Sequence, residues 1–157
     1  MKKPLTVFAL ALFSALLSHS ANAVEWKLIS ETEDKDKITS WYVDMTSIVR
    51  EDDYLRAFLR TSWSAPQFGP DRTPYQSSTY TNYIDCDSRK IAYTGNAYYR
   101  DTEPEGNPVH QEPEHPVSRL KFQSVKPGSA GEARLRFICQ FRSKNFLTRR
   151  TSPSRAG

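Results

Sequence analysis

The sequence predicts an α+β fold, antiparallel strands closed by one late helix, on three observations. Ser77 to Tyr99 (SSTYTNYIDCDSRKIAYTGNAYY) alternates aromatic, β-branched and polar residues around Asp87-Ser88-Arg89, as a hairpin on a half-buried pleated surface does. Ser129, with Glu132 three residues on, is a capping-box signature for a helix start. The chain has two cysteines, Cys86 in the hairpin and Cys139 in the late segment, and a bridge between them would tie that segment onto the hairpin's inner face. On the first hairpin strand Tyr80, Ile84 and Cys86 share this inner face, while Thr79, Thr81, Tyr83 and Asp85 share the other.

The first residues address the compartment. Lys2 and Lys3, an apolar run from Leu5 to Leu17 and Ala21-Asn22-Ala23 form a secretory leader, residues 1–23, with cleavage expected after Ala23. The run is too short to span a bilayer, which takes about 20 apolar residues. No cysteine follows it to accept a lipid, so the expectation is a periplasmic or secreted protein that is exported but not lipid-anchored. Cleavage leaves 134 of the 157 residues, enough for a single domain, residues 24–141. Losing Lys2 and Lys3 lowers the basic count from 22 to 20 against 18 acidic residues, a net charge of +2. An oxidising compartment makes Cys86 and Cys139 a disulfide rather than a metal pair or a nucleophile. Its 53-residue span corresponds to roughly 4 kcal/mol in the chain-entropy model.

In chain order, Val24, Trp26 and Leu28 lie on one side of a half-buried strand. Polar Ser30 to Lys37 reads as an exposed turn and Ile38 to Val43 as a second strand, after which Asp44 or Thr46 caps a short turn. Glu51-Asp52-Asp53 is a hairpin tip. Tyr54 to Trp63 is the longest strand, with Leu55, Ala57 and Leu59 buried and Arg56 and Arg60 on a basic face. Pro66, Gly69, Pro70 and Pro74 predict a surface loop, because proline lacks an amide donor and fixes φ.

Beyond the hairpin, Asp101 to Pro116 holds four prolines, one glycine and five acidic residues, the composition of a long exposed loop. Phe122 and Val125 return the chain to the core. Ala130, Ala133, Phe137, Ile138 and Phe141 then line one helical face. A strand pattern competes, since Ala133, Leu135, Phe137, Cys139 and Phe141 alternate with Arg134, Arg136, Gln140 and Arg142; the cap and the alanines favour helix. Residues 142–157 are a basic tail with no apolar period, expected to be disordered.

The chain resembles the exported bacterial domains of the surface-adhesin protein E family. The resemblance rests on Trp26, Tyr42-Val43-Asp44 followed by Ser47-Ile48, Tyr83 before Asp85-Cys86, the Tyr98-Tyr99 pair, Pro127-Gly128-Ser129 and Cys139. It implies an antiparallel sheet of about six strands, with a C-terminal helix packed on one face and held by the disulfide. It also implies a binding role without catalysis, because the family is named for an adhesin. The missing lipid-acceptor cysteine, the Pro-rich stretch from Gln67 to Tyr75 and the basic tail depart from the family pattern.

Six of the eight tyrosines fall between Tyr75 and Tyr99, and tyrosine is favoured at interfaces for its large rigid area and polar tip. Alternation places Tyr80, Tyr93 and Tyr99 inside and leaves Tyr83 and Tyr98 exposed. With Arg56 and Arg60 these are the candidate binding residues. His110 and His115, with Glu112 and Glu114 between them, are suitable ligand types for Zn²⁺ or Cu²⁺, but prolines break the regular helix that would align them. No metal, cofactor or catalytic residue is expected, so the chain reads as no enzyme. Its partner is expected to be a protein, not nucleic acid, and the charge of the basic tail suits a weak contact with an anionic envelope surface. The alternative to adhesin-like recognition is a periplasmic inhibitor or assembly factor acting on an envelope enzyme.

Overall fold

The computed structural model describes residues 24–69 and 71–142. The expected leader, residues 1–23, and the expected tail beyond Arg142 lie outside the described residues. Eight strands form one antiparallel sheet: β1 (Trp26–Asp34), β2 (Lys37–Asp44), β3 (Val49–Glu51), β4 (Tyr54–Phe68), β5 (Pro74–Asp85), β6 (Lys90–Tyr99), β7 (His110–Gln111) and β8 (Gln123–Ser124). The spatial order is β1-β2-β4-β5-β6-β7, with β3 pairing β4 and β8 pairing β6. A single helix, α1 (Ala130–Cys139), follows. The sheet curls, so that the helix touches β1 at one edge as well as β4, β5 and β6.

The β1–β2 turn is shorter than expected. Lys35 and Asp36 both adopt positive φ, 48° and 64°, as a two-residue turn matched to strand twist requires. Strand β1 therefore runs on to Asp34, with Thr32 opposite Thr39 and the Ser40 hydroxyl donating to Glu31 at 2.7 Å. Ser30 to Asp34 was legible only as polar because this end of the ribbon has no buried face to impose alternation.

Strands β2 and β3 pair successive stretches of β4, interrupted by a 3₁₀ turn at Met45–Ser47. Asp44 caps that turn, its carboxylate accepting from the Thr46 amide at 2.9 Å and the Thr46 hydroxyl at 2.7 Å. The Ser47 hydroxyl fills the gap in the ladder, accepting from the Phe58 amide at 2.8 Å.

Proline did not stop the sheet between Pro66 and Pro74. Strand β4 continues to Phe68 because its register shifts between Ser62 and Gln67, a bulge in which Pro66 need not donate. Gln76 bridges this bulge, its side-chain amide donating to the carbonyls of Trp63 at 3.3 Å and Ser64 at 3.4 Å. Pro74 opens β5, the strand position that tolerates proline.

The core lies on the inner face, where Val43, Leu55, Ala57, Leu59, Tyr80 and Ile84 meet Leu135 and Ile138 of the helix. The late segment is a helix, as the cap predicts. The Ser129 hydroxyl accepts from the Glu132 amide at 3.3 Å, and the Glu132 carboxylate accepts from the Gly128 amide at 2.8 Å and pairs with Arg89 at 2.5 Å. Leu135, which belongs to the strand-like pattern, is one of the two buried helix residues. Cys86 and Cys139 form a disulfide with sulfurs 2.06 Å apart, fastening the helix end to the β5–β6 turn.

The second face of the sheet is not bare. The segment expected to be an exposed loop, Asp101 to Pro116, docks on it. Ser77 donates to the carbonyl of Asp101 at 2.7 Å and Ser62 to that of Thr102 at 2.6 Å. Farther along, the His115 amide donates to the Thr94 hydroxyl at 2.7 Å, and Phe122 stacks on Tyr54 with ring centroids 4.8 Å apart. Composition correctly indicated that this segment makes no core of its own; it satisfies its backbone on polar residues of the sheet instead.

Candidate functional site

On the inner face the helix covers only part of the sheet. Beside it Trp63, Tyr75, Tyr80, Tyr93 and Tyr98 line an open cleft of about 250 Å³, with Arg134 of the helix at one side. A glycine places these rings together. Gly95, at φ 67°, lies in a register shift that sets Thr79 opposite Ala97 but Thr81 opposite Thr94. The extra residue changes the phase of β6, so Tyr98 joins the face of Tyr93 and Tyr80 while Tyr99 turns to the other. Alternation without the bulge gives the opposite assignment, and an isolated glycine within a strand pattern is the signal that could have corrected it.

Tyr98 stands between two hollows. Its ring is 4.9 Å from that of Tyr75, which in turn meets Trp63 edge-on at 5.5 Å, and His110 lies 5.7 Å away on the other side. The smaller hollow, about 160 Å³, is bordered by Phe68, Asp71, His110 and Glu112. Burial, then the nearby Glu112 carboxylate, pushes the Tyr98 phenol up to about 12. Burial likewise raises the Tyr75 phenol. Both remain neutral hydroxyls through the physiological range. In the larger cleft Arg134 donates to the Tyr80 hydroxyl at 2.7 Å, and that hydroxyl lies 3.2 Å from the Thr61 hydroxyl.

The four candidate residues are not brought together. Tyr98 is in the cleft, but Tyr83, Arg56 and Arg60 are on the second face, under or beside the docked segment. Tyr83 is only 5% exposed, a correction to its expected exposure that follows from the segment's cover; Tyr93, expected inside, is 56% exposed because the helix stops short of it. Arg60 is buried as well. Its guanidinium sits over the rings of Tyr42 at 4.1 Å and Trp26 at 5.2 Å and pairs with Glu103. Arg56 pairs with Glu51 at 2.9 Å.

The histidines are parted: His110, opposite Tyr98 in the β6–β7 ladder, shares that tyrosine's face at the sheet edge, whereas the His115 backbone amide donates to Thr94 on the second face. Among the described residues no group of three or more His, Cys, Asp or Glu side chains is placed to hold a metal ion.

Residues 26–140 match the family model for surface-adhesin protein E. The chain belongs to the surface-adhesin protein E family. Among solved structures, protein E of Haemophilus influenzae superposes with a TM-score of 0.51 at 14% identity, covering 74% of this chain and 86% of that one. Protein E from non-typeable Haemophilus influenzae gives 0.50 at 14% identity, covering 68% and 73%. At this identity the structural likeness is one of fold. No curated protein matches the chain. An adhesin-family surface protein with a disulfide fits export, and no described helix is long and apolar enough to cross a membrane.

Proposed function

We propose that the chain is an exported, non-enzymatic binding module that recognises a protein or envelope component through the aromatic cleft, without a cofactor. The observation carrying this reading is the placement of Trp63, Tyr75, Tyr93 and Tyr98 on paired strands beside a helix that leaves Tyr93 exposed and the other three half-buried at the cleft wall. Aromatic and arginine side chains on a rigid support lose little conformational freedom on binding and dominate interface energetics. The second face does not compete for this role, since the chain closes it with its own segment. Family membership supports the adhesin-like class, and the leader at residues 1–23 together with the disulfide supports export to an oxidising compartment.

Capture of matrix proteins and of envelope extract on the immobilised, oxidised chain tests the reading. Trp63→Ala and Tyr93→Ala are each expected to weaken capture by at least about tenfold with little change in melting temperature. Undiminished capture by both variants would exclude the cleft. Protease treatment of intact cells separates display from retention: an adhesin is cleaved, whereas a periplasmic factor survives.

A further inference from the structure

We propose that the cleft takes a carboxylated sugar, one acidic six-membered ring of a longer saccharide, with Arg134 as partner for its anion and the surrounding aromatic rings as its stacking surface. The inference rests on the reading of this cleft as the binding surface and names the ligand class.

Arg134 distinguishes an acidic ligand from a neutral one. Three described arginines are buried or half-buried: Arg56, Arg60 and Arg134. The first two have carboxylate partners, Glu51 and Glu103. Arg134 has no ion pair among the described residues. One of its terminal nitrogens donates to Tyr80, and its Nε, like those of Arg56 and Arg60, is buried without a hydrogen-bond partner, so the missing carboxylate is what sets Arg134 apart. A guanidinium partly withdrawn from water and lacking a counter-ion is unfavourable, and a carboxylate matches its planar donors. No acidic side chain lines the larger cleft, so that anion is left for a ligand to supply.

The remaining lining favours a sugar over a peptide. The cleft lies on the face of β2, β4, β5 and β6, whose main-chain groups pair with one another, so no strand edge is offered to a visiting polypeptide. Its polar groups include the hydroxyls of Ser78 and of Thr61, the latter 3.2 Å from the Tyr80 hydroxyl. They also include the amide of Asn96, whose nitrogen donates to Glu112 at 2.6 Å and whose oxygen remains an acceptor, a set that suits a hydroxyl-rich ring. Tyrosine and tryptophan rings present flat surfaces to C–H groups. Its volume of about 250 Å³ falls below the ~300–1,000 Å³ typical of drug-sized ligand sites and fits one ring. Across Tyr75 and Tyr98, the smaller hollow offers the carboxylates of Asp71 and Glu112 as acceptors for the hydroxyl or amide donors of a following neutral sugar. The same chemistry, a carboxylated ring joined to an N-acetylhexosamine, occurs in hexuronate polymers of animal matrix and in bacterial-wall glycan whose muramate carboxyls have been freed of their stem peptide.

The test is titration of the full exported, oxidised chain by calorimetry and tryptophan fluorescence with three probes. These are a glucuronate–N-acetylglucosamine tetrasaccharide, an N-acetylglucosamine–N-acetylmuramate disaccharide and a neutral N-acetylglucosamine tetrasaccharide. At least one acidic probe is expected to bind about tenfold or more tightly than the neutral one, and Arg134→Gln is expected to abolish that preference. The acidic probe that wins identifies the source. Tyr93→Ala, at an exposed ring, is expected to weaken binding of acidic and neutral sugars alike, and it serves as the second variant if Arg134→Gln lowers the melting temperature. Equal binding of acidic and neutral probes overturns the proposal. No sugar binding, with protein capture still lost in Tyr93→Ala, overturns the sugar and keeps the cleft as a protein-binding surface. If neither sugar nor protein binding depends on Tyr93 or Trp63, both readings fall.

Discussion

Arg60 and Glu103 form an asymmetric pair, because the arginine side chain is 6% exposed and the glutamate 59%. Removing the glutamate's charge leaves a buried cation held only by the rings of Tyr42 and Trp26. Glu103→Gln is therefore expected to destabilise the fold by about 2 kcal/mol, more than its exposure suggests. Asp87→Asn, at an ion pair with Arg142 in which both groups are well exposed, is expected to cost less than about 1 kcal/mol. Denaturant midpoints of the two variants check the difference. Tyr98 makes a second prediction at this scale. Its phenol is raised from 10 to about 12, so the neutral form is favoured in the folded state. Its contribution is fully present below pH 10 and is lost as pH rises toward 12. Alkaline unfolding profiles of Tyr98→Phe and the parent should diverge only in that window.

At the scale of single elements, the helix rests on its cap and on two side chains. Ser129→Ala is expected to cost about 1 kcal/mol, and Leu135→Ala or Ile138→Ala about 2–5 kcal/mol each, because both side chains are buried against the sheet. The Gly128 amide, then Arg89, holds the Glu132 carboxyl below its usual range. Since that pKa is depressed on folding, the associated stability is present above the ordinary carboxylate value and is lost as pH falls through the lowered one. Thermal melts of Glu132→Gln should therefore be less acid-sensitive than those of the parent. The helix start was legible because a cap is written in adjacent residues. The bulge at Trp63–Pro66 was not, since it depends on which residues the neighbouring strand places opposite, and the one at Gly95 was marked only by its isolated glycine. The Gly95 bulge exchanged the faces of Tyr98 and Tyr99, and with them much of the candidate site.

For the whole molecule, the bridge joins positions 53 residues apart. Reduction is expected to lower stability by roughly 4 kcal/mol, read as a fall in the denaturant midpoint; equal midpoints with and without reductant would contradict it. The hairpin, the inner core and the bridge were legible because alternation and cysteine chemistry are local or unique. The destination of Asp101 to Pro116 was not. Proline and acidic content report that a segment lacks apolar area, and say nothing of hydroxyls elsewhere waiting for its carbonyls. Tyr83 and Arg60 were misjudged as free for that reason, whereas Arg56 stays part-exposed and is held by Glu51.

The bridge sits at the last residue of α1 and beside the turn after β5. A pull on the chain beyond Cys139 passes through sulfur into the sheet and bypasses the helix. The helix therefore carries no tension from that end and cannot be peeled off turn by turn, so the cleft beside Arg134 would keep its shape under load.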